Sequence, residues 1–123
     1  MKLHADLNPS LNTVTAYGEG YVEINRQRHG GALVIRPEGE ILAWAVADFE
    51  ALTGEHFEAL LQHGPEVVIL GTGARQRFPH PRLTVSLARV RIGIEVMTTG
   101  AACRTYNILM GEGRRVVAAI LPP

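Results

Sequence analysis

The sequence predicts an α/β fold: a single three-layer domain spanning residues 1–123, with a central mixed, mostly parallel sheet, helices, and an N-terminal β-hairpin layer. Three observations predict it. Short apolar runs rich in β-branched residues, Val67 to Gly71 (VVILG), Ile94 to Met97 (IEVM) and Arg115 to Leu121 (RVVAAIL), are too short for helices. Segments of helical period, with N-terminal signals such as Thr53, Pro81 and Thr98, fall between these runs or before them. The N-terminal third is punctuated by glycine turns instead of helix signals.

Taken in order, Val14 to Asn25 (VTAYGEGYVEIN) reads as a hairpin, because Gly18 and Gly20 can supply the positive φ of a tight turn. Gly31 to Ile35 (GALVI) and Ile41 to Val46 (ILAWAV) form a second pair around the turn Arg36 to Glu40, and their continuous apolarity suggests strands covered on both faces. Thr53 to Gly64 (TGEHFEALLQHG) has a hydroxyl cap, apolar residues at helical spacing and a glycine–proline stop. Followed by Val67 to Gly71, it implies a right-handed parallel crossover. Pro81 to Arg91 reads as a helix with Leu83, Leu87 and Val90 inward and Arg82, Ser86 and Arg89 on an outer stripe. After the strand Ile94 to Met97, Thr98 caps a third helix with Ala102, Tyr106, Leu109 and Met110 on its inner face. Arg115 to Leu121 then closes the sheet, and Pro122-Pro123 forbids its extension.

Composition narrows the function classes. The 123 residues are 46% hydrophobic and 20% charged, which fits a globular protein and excludes collagen-like, coiled-coil and disordered classes. Zero net charge argues against a generic binder of nucleic acid or anionic membrane. That balance is not local, however. Seven acids and no Lys or Arg lie between Pro37 and Glu66, whereas five arginines and no acid lie between Val67 and Ile94. The two blocks either face each other in the fold or leave a charged face for an anion or a partner.

No run approaches the roughly 20 apolar residues that span a bilayer. The opening MKLHADLNPS has neither an apolar secretory region nor an Arg-rich transit pattern, so the expectation is an untargeted, cytoplasmic protein. The lone Cys103 cannot form an internal disulfide, which also fits a reducing compartment.

In open α/β sheets, ligands bind beyond the carboxyl ends of parallel strands, where loops and helix starts present backbone amides. Two such loops are present: Gly71-Thr72-Gly73 with Arg75, and Thr98-Thr99-Gly100 with Arg104. If their strands are neighbours, these residues form a candidate cleft for a small anion, with guanidiniums as counter-charge. The same residues serve equally well as turn glycines, a helix cap and a loop tether. Gln76 occupies the place of the third glycine in a dinucleotide fingerprint, and Lys2, the only lysine, cannot complete a Walker loop.

Cys103 lies about a turn inside the third helix and reads as a packed thiol rather than a nucleophile. His56 and His63, seven residues apart, are roughly 10 Å distant along a helix, too far to share a zinc ion. No metal, cofactor or catalytic residue is indicated.

Several ordered motifs agree with a known family: Leu70-Gly71-Thr72-Gly73 with Phe78-Pro79; Gly93-Ile94-Glu95-Val96-Met97; Ala101-Ala102-Cys103-Arg104-Thr105-Tyr106-Asn107; and Glu112-Gly113-Arg114-Arg115-Val116. The chain resembles the Mth-type domain family of unknown function, which includes a mitochondrial complex I assembly factor and an adipogenesis-associated protein. The resemblance implies a three-layer α/β fold with a central mixed sheet and a prokaryotic member. It also implies a non-enzymatic interaction or assembly domain with protein partners, and it supplies no catalytic residue. The alternative is an enzyme or sensor binding a small anion at the two-loop cleft. Nucleic-acid binding, suggested by Arg82, Arg89 and Arg91, lacks an interleaved aromatic platform.

Overall fold

The computed structural model describes residues 1–3 and 10–123. Two sheets form. The smaller is antiparallel, in the order β1 (Val14–Gly18), β2 (Tyr21–Ile24), β3 (Gln27–Gly30). The larger has five strands, β4 (Leu33–Ile35), β5 (Leu42–Ala43), β6 (Val67–Gly71), β7 (Gly93–Met97) and β8 (Val116–Ile120), in the order β5-β4-β8-β6-β7. Because β4 is antiparallel to both β5 and β8, while β8, β6 and β7 are parallel, only β4 opposes the common direction.

Strand periodicity divides this sheet into two apolar faces. Leu33, Ile35, Val67, Ile69, Val116, Ala118 and Ile120 point to one side, where they meet Val14, Val22 and Ile24 of the small sheet and the helix α3 (Thr99–Gly111). Val34, Val68, Leu70, Val117 and Ala119 point to the other, where Phe57 and Leu60, and Leu87 of α2 (Val85–Arg89), cover them. Phe57 belongs to α1 (Gly54–Glu58), which continues as a 3-10 turn over Ala59–His63. The layers are therefore α1 and α2, the five-stranded sheet, and α3 beside the small sheet.

The hairpin and the strand pairing of residues 67–71 with 93–97 follow the sequence expectation, with Gly71 opposite Met97. Four features differ from it. β3 was not anticipated: Asn25 and Arg26 both adopt left-handed φ (48° and 68°) to form the turn, and the strand QRHG is polar and largely exposed, so it has neither a glycine turn nor an apolar signal. The second pair is shorter than its apolar runs, because Gly31 has φ 75° and only Leu42–Ala43 forms a strand beyond the turn. The expected helix over 81–91 is a 3-10 turn (Pro81–Thr84) and a single α-helical stretch, which leaves Val90 outside the helix and 55% exposed. Finally, β8 does not close the sheet at an edge. It lies at the centre, between β4 and β6, with all five residues buried. The crossover from β5 to β6 is parallel in sense but spans β4 and β8.

The start of α1 is locked by a reciprocal cap. Thr53 Oγ1 accepts from the His56 amide at 3.4 Å, and His56 Nδ1 accepts from the Thr53 amide at 3.0 Å. The ring is therefore the Nε2–H tautomer, which donates to the Ala45 carbonyl at 3.0 Å and ties the helix to the segment after β5. His56→Ala is expected to lower unfolding free energy by about 1 kcal/mol, the usual worth of a cap. Amide exchange should be slowest in β6 and β8 and fast in β3 and β5, because the first two are paired on both edges and covered on both faces.

Candidate functional site

The parallel pairing of β6 and β7 brings both candidate loops to one end of the sheet, the condition on which the sequence made a shared cleft depend. There Thr99, fully buried at the first position of α3, makes the central contact. Its hydroxyl donates to the Leu121 carbonyl at 2.6 Å and accepts from the Gly73 amide at 2.8 Å, while its own amide donates to the Gly73 carbonyl at 2.9 Å. One side chain thus joins the ends of β6 and β8 to the start of α3. Thr72 fills the matching role toward β7: its amide donates to the Met97 carbonyl at 2.9 Å, and its hydroxyl donates to the Arg75 carbonyl at 2.6 Å and accepts from the Arg77 amide at 3.2 Å. Thr98 caps α3 by accepting from the Ala101 amide at 3.3 Å.

The glycines allow these approaches. A Cβ on Gly71 would lie 2.8 Å from Ile120 Cγ2 and 3.1 Å from Thr99 Cα, and Gly73 takes φ 97°. At Gly100 a Cβ would run into the Tyr17 ring at 2.8 Å.

The two arginines do not converge. Arg104 donates to the Tyr17 hydroxyl, on the side of the small sheet. Arg75 is exposed and borders a shallow depression of about 360 Å³ with Asp48, Phe49, Gly73 and Arg77. Arg77 pairs with Glu50 at 2.6 Å and stacks 4.5 Å from the centroid of the Phe49 ring. A backbone hydrogen bond at Glu50 itself, reinforced by Arg77 and Arg75, holds its carboxyl below the usual carboxylate range. This is the ion pair that joins the acidic and basic blocks among the described residues; Glu66 pairs instead with Arg114, outside the basic block, at 3.2 Å.

The remaining residues of the Ala101–Asn107 motif act through contacts that the sequence reading missed. The side-chain amide of Asn107 pairs with β1 as another strand would, Oδ1 accepting from the Val14 amide at 2.9 Å and Nδ2 donating to its carbonyl at 2.8 Å. The Tyr106 hydroxyl donates to the Asn12 carbonyl at 2.7 Å. Ala102 and Cys103 are packed in the core beneath them. An Asn in the third turn of a helix, poor in propensity there, was the available signal that its amide had a tertiary partner. Among the described residues, no three His, Cys, Asp or Glu side chains come close enough to hold a metal ion.

A mixed five-stranded sheet covered by two short helices on one face, and by a long helix and a three-stranded sheet on the other, is the architecture of a Mth-type domain. The chain belongs to the family described as a protein of unknown function (DUF498/DUF598), whose model matches residues 14–121. It is similar to a crystal structure of a Bordetella parapertussis protein, with 45% identity, a TM-score of 0.88, and coverage of 93% of this chain and 98% of that one. A solution structure from Bordetella pertussis, described as a Mth938-like domain, is 40% identical with a TM-score of 0.81, over 99% of this chain and 92% of the other. NADH dehydrogenase [ubiquinone] 1 alpha subcomplex assembly factor 3 of Bos taurus is 30% identical over 118 residues; these are 94% of this chain, which spans 64% of that protein's length.

Thr99→Val keeps the volume but leaves a buried amide and carbonyl without their partner, so it should cost about 3 kcal/mol in urea unfolding, against about 1 kcal/mol for Thr98→Ala. Burial pushes the Cys103 thiol up from 9.0 to about 12, against a smaller opposing effect of Arg104, and raises the Tyr106 hydroxyl as well. Both groups are held protonated by folding, so their stabilisation is complete below their unfolded values and is lost as pH rises through the folded ones. The urea midpoint should therefore fall between pH 9 and 12, less steeply in Cys103→Ala, and a thiol reagent at neutral pH should label Cys103 only after unfolding.

Proposed function

We propose that this chain is a non-enzymatic interaction domain of the assembly-factor type, engaging protein partners in the cytoplasm. The observation that carries the reading is its relation to an assembly factor along 94% of its length. The geometry is consistent with that reading: the polar groups of Thr72, Gly73 and Thr99 bond to one another, to the backbone around them and to strand ends. No helix among the described residues is long and apolar enough to cross a membrane. Deleting the gene from its host tests the reading. The expected result is loss of assembled respiratory NADH dehydrogenase on native gels at normal subunit synthesis, restored by the wild-type chain recovered in the cytoplasmic fraction. An unchanged level of assembled complex would overturn it.

The second reading, an enzyme or sensor for a small anion, is favoured by one feature, the exposed Arg75 guanidinium beside Gly73 and Arg77 in the depression of about 360 Å³. Phosphate titration followed by amide shifts should then perturb residues 71–77 in a saturable way that Arg75→Ala weakens and Arg104→Ala, on the Tyr17 side, does not. Scattered shifts that persist in Arg75→Ala would remove this reading.

A further inference from the structure

At the opposite end of the large sheet, where β6 and β8 begin, lies a cavity of about 430 Å³. The antiparallel course of β4 places its end beside the start of β8, so residues remote in sequence share one rim. Arg36 leaves β4, His63 ends the 3-10 turn after α1, and Arg114 and Arg115 lead into β8. The cavity is apolar beneath, where Met110 and Val116 of one core and Val117 of the other contribute to its lining.

The positive charge of this rim is only partly cancelled. Arg114 Nε pairs with Glu66, whose carboxylate also accepts from the Arg115 amide at 2.9 Å. Arg115 Nε donates to the Gly64 carbonyl at 3.3 Å, a neutral partner, and the acid whose charge it feels among the described residues, Glu66, is already paired with Arg114. Arg36 Nη2 donates to the Glu40 carbonyl at 3.1 Å, again a neutral partner, and Arg36 Nε is buried with no acceptor among the described residues. Burial and then the charge of Arg36 lower the proton affinity of His63, which puts the two side chains in one electrostatic environment. Glu38, exposed, is the acid among the described lining residues. Guanidiniums held by backbone carbonyls, with one shared carboxylate between Arg114 and Arg115, above an apolar floor match a carboxylate or phosphate on an apolar body.

We propose that this cavity binds a small organic anion, with its charged group against Arg36 and Arg115 and its apolar part over Leu11 and Met110. The site does not depend on the assembly reading or on the two-loop cleft.

The test is titration of isotope-labelled protein with hexanoate and, in parallel, hexyl phosphate, with hexanol and inorganic phosphate as arms that lack the charge or the chain. Saturable amide shifts centred on residues 36–39, 63–64 and 113–117 are expected with one of the two organic anions, the tighter naming the head group. Hexanol and inorganic phosphate should each bind at least about tenfold more weakly, since each keeps only half of the contact. Arg36→Gln and Arg115→Gln should each weaken the organic anion by about tenfold, and Arg28→Gln, on β3 of the small sheet, should not. Because Arg36 also braces its own turn, Arg115→Gln keeps the test valid if Arg36→Gln loses the fold. Non-saturating shifts, shifts centred elsewhere, inorganic phosphate binding as tightly as either organic anion, or unchanged affinity in folded Arg115→Gln would each overturn the proposal.

Discussion

The structure depends on the parallel pairing of β6 with β8, two strands whose ten residues are all buried. Neither strand has a polar face to give to water, so each side of the pair requires a covering layer. Val68, Leu70, Val117 and Ala119 are covered by α1 and α2; Val67, Ile69, Val116, Ala118 and Ile120 are covered by α3 and the small sheet. The three-layer architecture is the consequence of that two-sided burial. β4 and β7 then protect the outer edges of the pair, and β8 lies at the centre of the sheet with all five residues buried.

Two-sided burial creates a problem at the strand ends, where backbone groups leave the sheet while still shielded from water. Thr99 resolves it at the carboxyl end by serving the Gly73 amide and the Leu121 carbonyl with one hydroxyl, at a place where Gly71 has no side chain to obstruct it. Further along α3, Tyr106 and Asn107 do the same for the backbone at Asn12 and Val14, anchoring the small sheet. The motifs by which the chain resembles its family are thus, in large part, the joints between layers. Their regular spacing reflects one helix that must satisfy backbone groups from several strands at once, a requirement independent of any ligand.

The opposite end is finished differently. There the strands begin, the apolar floor comes close to the surface, and arginines from the ends of β4 and the start of β8 surround it with incomplete pairing. One end of the sheet is closed by internal hydrogen bonds, and the other carries charge over a cavity.

The hairpin of β1 and β2, the strands β6, β7 and β8, and the caps at Thr53 and Thr98 were legible in the sequence, because each is set by local periodicity, turn chemistry or a side chain bonding to its own helix start. That the Gly71–Gly73 and Thr98–Gly100 loops share one end depended on β6 lying beside β7, which the sequence left open. The charge of Arg75 and Arg104 was visible, but their separation was not, since a guanidinium on a long stem goes to whichever partner the packed layers provide: Tyr17 for Arg104, solvent for Arg75. Tertiary structure alone placed β8 at the centre, gave Asn107 its strand-like partner in β1, and assembled Arg36, His63 and Arg115 around one cavity. Those outcomes depend on contacts between residues tens of positions apart, whose geometry is settled by burying both faces of the sheet together and leaves no periodic trace in any one segment.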